Sequence, residues 1–297
     1  MKKALIKIYS AYLRIVRTIQ NDILLAGKRP SIEEQSVTIR KIKEEHYSLS
    51  RFGDGEFSLI CGQELKFQPY HEKLSAELKD ILQLPPEEKE MLVGIPDVFA
   101  GTSQFTLKAE KYWKEYLRNN RARIYKLLRF DRSYSDSLIS RFYIDYRDKI
   151  PMNEKIARLR SVWDNKRVLI VEGEKSRLGM GNDLFDNTAD IGRIVCPSVN
   201  AYSCIDEIEQ AILDLDSFEL ILIALGPTAT VLAYRLHSKG RQALDIGHID
   251  IEYEWYKKGA EEKTPVPNKY IGEMPGGDMV EDGVDERYKK QIIRRIG

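Results

Sequence analysis

Residues 2–25 place Leu5, Ile8, Tyr12, Ile15, Val16, Ile19 and Ile23 at helical spacing, with Lys2, Lys3, Lys7, Arg14 and Arg17 interleaved. That pattern predicts an amphipathic N-terminal helix, ended by Gly27-Lys28-Arg29-Pro30. Ser31-Ile32-Glu33-Glu34 has the form of a capping box that opens a second helix. Tyr47–Phe52 reads as a short strand, 73–84 as a helix stopped by Pro85-Pro86, and Met91–Pro96 as a buried strand. Residues 105–130 are mostly helical in pattern, whereas periodicity leaves Leu138–Tyr146 open between strand and helix.

Beyond Pro151 the pattern becomes regular. Arg167–Gly173, Arg193–Pro197, Leu220–Leu225 and Gln242–Gly247 read as strands. Helices are expected from about Cys204 to Leu215 and from Gly226-Pro227-Thr228 to Gly240. Strands alternating with helices predict an α/β, Rossmann-like fold with a mainly parallel sheet flanked by helices, plus the additional N-terminal helix. The expected division is an N-terminal helix over 1–30 and a single domain over 31–297. Pro265–Asp285, rich in Pro, Gly and acidic residues, reads as surface loop.

Composition narrows the function classes. The 297 residues carry a net charge of +1, which gives no global pull toward nucleic acid. Cys61, Cys196 and Cys204 form no CxxC pair, which fits a reducing compartment and argues against a zinc module. No run approaches the roughly 18 apolar residues of a spanning helix, and Met1-Lys2-Lys3 lacks the start of a signal peptide. A soluble cytoplasmic protein is expected. The basic N-terminal helix leaves three uses open: packing on its own domain, homodimer contact, or peripheral contact with the inner face of a membrane.

Candidate chemistry gathers at the expected strand ends, where parallel sheets bind ligands. In Arg51-Phe52-Gly53-Asp54-Gly55-Glu56 the glycines allow close approach of a ligand. Asp54 and Glu56 offer hard oxygens suited to Mg²⁺ or Mn²⁺, and Arg51 a fork for phosphate. The same residues also fit a tight turn with Arg51 paired to Glu56. The stretch Glu172–Asp183 has neither the spacing of a dinucleotide fold nor a P-loop, yet Arg177 and Asn182 could hold phosphate or sugar hydroxyls. Gly226-Pro227-Thr228 opens a helix whose N-terminus suits an anion, with Thr228 also placed to cap it. Finally, Leu244–Trp255 puts His248 and the carboxylates Asp245, Asp250, Glu252 and Glu254 within ten residues. As a strand, His248, Asp250, Glu252 and Glu254 share a face; as a helix, His248 and Glu252 meet at i,i+4. Glu252 and Glu254 could equally do no more than solvate a surface.

Four motifs in order, RFGDGE at 51–56, GMGNDLFDN at 179–187, LGPTATVLAY at 225–234 and LDIGHIDIEYEW at 244–255, resemble the GT-D glycosyltransferases. That family was first met as a domain of unknown function in bacterial surface-glycan and adhesin-glycosylation loci. The resemblance spans about residues 45–275 and omits the N-terminal helix and the tail after Gly276. It implies metal-dependent transfer of a hexose, glucose or galactose, from a UDP-sugar to a glycan acceptor in surface polysaccharide or glycoprotein synthesis. It further implies that Asp54 and Glu56 are the metal-binding Asp-x-Glu pair. By the same resemblance Lys269-Tyr270-Ile271-Gly272-Glu273 matches an element whose Glu273 is the expected catalytic base, with His248 and Asp250 behind it. Arg51, Gly53, Arg177, Asn182, Gly226, Pro227 and Thr228 are the expected donor contacts. Two other readings stay open: a sugar-phosphate hydrolase or isomerase, and a non-catalytic nucleotide-binding subunit of a glycan-assembly complex.

Overall fold

The computed structural model describes residues 2–27, 29–274, 277, 280, 283 and 285–297. Nine strands form one sheet: β1 (Ser31–Ile32), β2 (Ser48–Arg51), β3 (Met91–Ile95), β4 (Ser133–Asp136), β5 (Arg167–Gly173), β6 (Asp190–Cys196), β7 (Leu220–Ala224), β8 (Ala243–Asp245) and β9 (Ile292–Arg295). The order is β1-β4-β3-β2-β8-β7-β5-β6-β9, and every pairing is parallel. Helix α1 (Lys2–Ala26) precedes the sheet; parallel strands require crossovers, and these contain α2 (Gln35–Glu44), α3 (Asp54–Ile60), α4 (Glu72–Leu82), α5 (Leu107–Leu127), α6 (Met152–Arg160), α7 (Ile205–Leu213), α8 (Pro227–His237), α9 (Ile249–Lys257) and α10 (Glu286–Gln291).

The strands are apolar throughout because both faces are covered. Alternate residues of β5 divide between the layers: Leu169 and Val171 pack with α3, α4, α5, α7 and α8, whereas Val168 and Ile170 pack with α2, α6 and α9. From β5 the chain steps outward to β6, then returns across β5 to β7 and β8. That reversal opens the crevice in which ligands of such sheets bind.

At four places the structure changes what the local pattern predicts or settles what it left open. Ser31 and Ile32 pair with Ser133 and Tyr134 as an edge strand, so α2 begins at Gln35 with no side-chain cap rather than at the Ser31 box. Leu138–Tyr146 is neither strand nor helix. A single 3₁₀ turn at Ser137–Ser140 leads into buried loop, whose Tyr143 and Ile144 N–H groups donate to Glu252 at 2.8 and 2.9 Å. Leu244–Trp255 is not a continuous strand, because β8 ends at Asp245 and α9 begins at Ile249. Beyond the expected surface loop, α10 and β9 return to close the sheet edge on β6. Within the expected loop, residues 275, 276, 278, 279, 281, 282 and 284 lie outside the described residues, as does Lys28 in the Gly27–Pro30 stop.

A buried ion pair fastens that closing segment. The Glu172 carboxylate, fully buried at the end of β5, accepts from Arg193 of β6, from the Leu178 N–H at 2.7 Å and from the Tyr288 hydroxyl at 3.0 Å. Arg193 in turn donates to Gln291 at 2.8 Å and lies over the Tyr288 ring. Removing one partner strands a buried charge, which costs about 3–5 kcal/mol. Arg193→Ala is therefore expected to lower the unfolding free energy, read from denaturant curves, by that much, and a loss below about 1 kcal/mol would show that the pair is not a fastening.

Candidate active site

The carboxyl ends of β2 to β8 frame a cleft of about 620 Å³, lined from Arg51, Ser137, Gly173, Ala224 and Asp245 at strand ends and from the loops that follow them. Its floor is built by Arg51. The guanidinium donates from Nε to the Asp245 carbonyl at 2.7 Å, from Nη2 to Asp245 Oδ1 at 2.9 Å and from Nη1 to the Ser137 carbonyl at 2.9 Å. It lies against Gly247, where a Cβ would sit 2.0 Å from Nη2 and where φ is +45°. Only glycine meets both conditions without strain. Arg51 thus pairs with Asp245 rather than Glu56, and most of its fork is committed to the protein rather than turned to a phosphate.

Gly53 is the N-cap of α3, so Asp54 and Glu56 occupy that helix's first turn, not a loop. Glu56 reaches back to accept the Gly53 N–H at 2.7 Å, and Asp54 accepts from the Tyr112 hydroxyl of α5. Burial, reinforced by the nearby carboxylates Asp245 and Asp54, pushes the Glu56 carboxyl up to about 7. A carboxyl raised in this way is eased by a cation beside it. Two carboxylates on one helical turn at the edge of the cleft offer hard oxygens that would suit Mg²⁺ or Mn²⁺, which bind through one or two protein oxygens plus substrate phosphate. Among the described residues no three His, Cys, Asp or Glu side chains gather as a complete metal shell, so substrate oxygens would finish the coordination.

A second group lining the cleft is cationic. Glu273 accepts from Arg141 and, at 2.6 Å, from Lys263 Nζ, while His248 Nε2 stands 3.8 Å away. Burial would raise the Glu273 carboxyl, but Arg141, His248 and Lys263 outweigh it and hold the group well below the usual carboxylate range. His248, the N-cap of α9, is pushed down to about 4 by burial and by Arg141, against the opposing pull of Glu273. The imidazole is therefore neutral at pH 7. Neither Arg141 nor Lys263 was anticipated from sequence. Arg141 sits in the segment without periodicity, and Lys263 carries no local motif.

Helix α9 sends its acids in different directions. Asp250 accepts from the Gly179 N–H at 2.8 Å, Asn182 Nδ2 at 2.8 Å and Lys269 Nζ at 2.7 Å. Glu254, one turn on, takes the same Asn182 at 2.7 Å and Lys269 at 3.1 Å. Three donors leave Asp250 little capacity to move a proton, and Asn182 is spent on fixing the glycine loop. Arg177 lies under the tail, donating to the Asn268 and Gly283 carbonyls at 3.1 Å each, and does not line the cleft. Gly226, φ +55°, does line it and caps α8 ahead of Pro227. Thr228 is buried and donates to Gln68 at 3.4 Å instead of capping the helix.

Glu252 solvates nothing: it is fully buried, holds the Tyr143 and Ile144 N–H groups through Oε2, and leaves Oε1 without a partner. Burial, opposed by those hydrogen bonds and by Arg141, pushes its carboxyl up to about 7. A carboxyl that binds its proton more tightly when folded favours the folded state at low pH, and that contribution is lost as pH rises from the ordinary value near 4.5 through 7. Glu252→Gln should accordingly gain stability relative to the parent between pH 5 and 8, as read from paired unfolding curves. A difference that does not change with pH would place the carboxyl in the ordinary range.

The fold and site define a class: an α/β protein with a cleft lined by acidic and basic side chains at the carboxyl edge of a parallel sheet. The sequence profile of the family described as glycosyltransferase GT-D fold matches residues 49–274, and the chain belongs to that family. It is 40% identical over 271 residues to a probable glycosyl transferase, Gly, of Streptococcus gordonii, covering 89% of this chain and 39% of that protein. It is 41% identical over 259 residues to the glycosyltransferase GlyD of Streptococcus pneumoniae serotype 4, covering 87% of this chain and 32% of that protein. The chain thus spans well under half the length of these relatives. Among solved structures, a glycosyltransferase from Streptococcus sanguinis superposes with a TM-score of 0.86 at 39% identity, covering 91% of this chain and all of that one. A domain of unknown function with a distinct glycosyltransferase fold matches equally, at TM-score 0.86 and 39% identity over 90% of this chain and 96% of that one.

Proposed function

We propose that the protein is a divalent-metal-dependent glycosyltransferase that moves a hexose, glucose or galactose, from a UDP-sugar to a glycan acceptor in bacterial surface polysaccharide or glycoprotein synthesis. The observation that carries this reading is the meeting of two groups in one cleft: Asp54 and Glu56 on α3 line it together with Arg141, Lys263, His248 and Glu273. Family membership and the named relatives support glycosyl transfer; the metal and a diphosphate are supported by the chemistry of those groups, and the UDP-sugar by the family resemblance.

Asp54 and Glu56 would hold Mn²⁺ or Mg²⁺, which supplies Lewis-acid stabilisation of the departing diphosphate. The α8 N-terminus at Gly226, with its helix dipole, adds fixed positive potential where that charge develops. Arg141 and Lys263 give the cluster two mobile cations suited to the same oxygens. Drawn toward a diphosphate, they would loosen their hold on Glu273 and raise its proton affinity. Glu273 then becomes the base for the acceptor hydroxyl. Neutral His248 stands beside it as a hydrogen-bond acceptor that orients that hydroxyl, while Asp250 keeps to anchoring the glycine loop.

Thermal-shift titrations with UDP, GDP and ADP, each with Mn²⁺ and with EDTA, test the donor. Selective stabilisation by UDP that requires metal is expected, of about 2.7 kcal/mol at a hundredfold excess over Kd. Indifference to every nucleotide would favour a sugar-phosphate enzyme or a scaffold. Asp54→Ala and Glu56→Ala should each remove metal-dependent turnover, and near-normal activity in both would end the metal assignment. Glu273→Gln should lower transfer by about 10²- to 10⁴-fold with UDP affinity retained. Loss of UDP binding instead would make Glu273 a nucleotide contact.

A further inference from the structure

The helix α1 lies on α5 along one side, where Leu13, Val16 and Leu24 are half-buried, Leu24 packs against the core, and two polar contacts are made. Arg17 donates to Asn119 of α5 at 2.7 Å, and Asn21 donates to the Arg118 carbonyl at 3.3 Å. At 100° per residue, Leu5, Ile8, Tyr12, Ile15, Ile19 and Ile23 fall on one stripe on the far side, and each is between 54% and 67% exposed. A continuous apolar stripe of that extent is more than single exposed side chains explain. No described helix is long and apolar enough to cross a membrane.

Charge distinguishes between possible occupants. The α1 sequence carries Lys2, Lys3, Lys7, Arg14 and Arg17 against the single acid Asp22. Alongside it runs a groove of about 610 Å³ between α1 and α5, lined by Arg14, Arg17, Lys111, Lys114 and Arg118 with only Glu110 and Glu115 opposing them. Arg14, Lys111 and Arg118 form no ion pair among the described residues, whereas Lys114 is paired to Glu110 at 2.5 Å. A second copy seated on the stripe would bring like-charged helices together. An anionic lipid surface suits a helix of this composition, taking the apolar stripe into its acyl boundary while basic side chains of the polar flank, Lys7 and Arg14 among them, reach up to its headgroup phosphates.

We propose that α1 is an in-plane anchor by which this protein lies on an anionic bilayer. In that pose α1 sits between bilayer and body. Its partner α5, which presents Lys108, Tyr112 and Trp113 to the cleft, carries the site at the membrane surface. The inference stands whatever the cleft transfers.

Flotation of the full chain with phosphatidylcholine vesicles, with and without phosphatidylglycerol, is the test. Recovery with the anionic vesicles alone is expected, declining as salt is raised. Lys7→Gln combined with Arg14→Gln should weaken recovery about thirtyfold, at about 1 kcal/mol for each basic side chain near the surface. Ile8→Asn combined with Ile15→Asn should abolish it. These side chains are exposed, so both variants should keep the parent's unfolding transition, which separates lost docking from lost folding. Equal recovery with neutral vesicles overturns the proposal, as does failure to float with either. So does a concentration-dependent dimer that the Ile8 and Ile15 substitutions dissolve without vesicles present, since that would give the stripe to a second copy.

Discussion

The clasp between Arg51 and Asp245 is the contact on which the cleft depends. The strands β2 and β8 meet through a single register pair, Leu49 with Leu244, so their backbone ladder alone is a thin seam between the two halves of the sheet. Arg51 closes it at the carboxyl edge, and its reach to the Ser137 carbonyl ties in the end of β4. Thr230 of α8 completes the arrangement by donating to the Arg51 carbonyl at 2.9 Å with Asp245 Oδ2 at 3.2 Å. A buried pair of this kind adds little net stability over an apolar substitute. What it supplies is position. It fixes Gly53 and the first turn of α3 on one side, and Gly247 and the start of α9 on the other, and its carboxylate helps keep Glu56 protonated near neutrality.

A second constraint runs through α9. Because it is a helix, Asp250 and Glu254 are one turn apart and share Asn182 and Lys269, binding the glycine loop to the segment that precedes Glu273. Glu252, about 160° round the helix from each member of that pair, instead supports the 141–146 loop, which carries Arg141. Both sides of the cationic cluster are therefore set by acids on one short helix. The 141–146 loop and the segment before Glu273 are held in place by the buried acids Glu252 and Asp250 of α9.

The architecture was largely legible along the chain. Apolar runs at 167–173 and 220–225 could only be strands covered on both faces, and the helices between them forced parallel pairing. The carboxyl-end rule then pointed to 51–56 and 226–228 before any side chain was placed. Less legible were elements whose partner lies far away in sequence. Ser31 and Ile32 carry a cap pattern but are captured by the edge of β4, and β9 finds β6 only after the whole domain has closed.

What the sequence by itself determined is which residues could do chemistry and at which strand ends they stand, because period, turn chemistry and charge are local properties. What only the tertiary structure decided is which of them are free to do it. Asp250, Asn182 and Arg177 looked as available as Asp54, Glu56 and His248, yet Arg177 and Asn182 are turned to partners away from the cleft and Asp250, though it lines the cleft, is held by three donors. Arg141 and Lys263 entered the site with no local signal at all. The reason is physical: the energy of a charge depends on its distance from other charges and from water, and in a folded chain neither distance follows sequence separation.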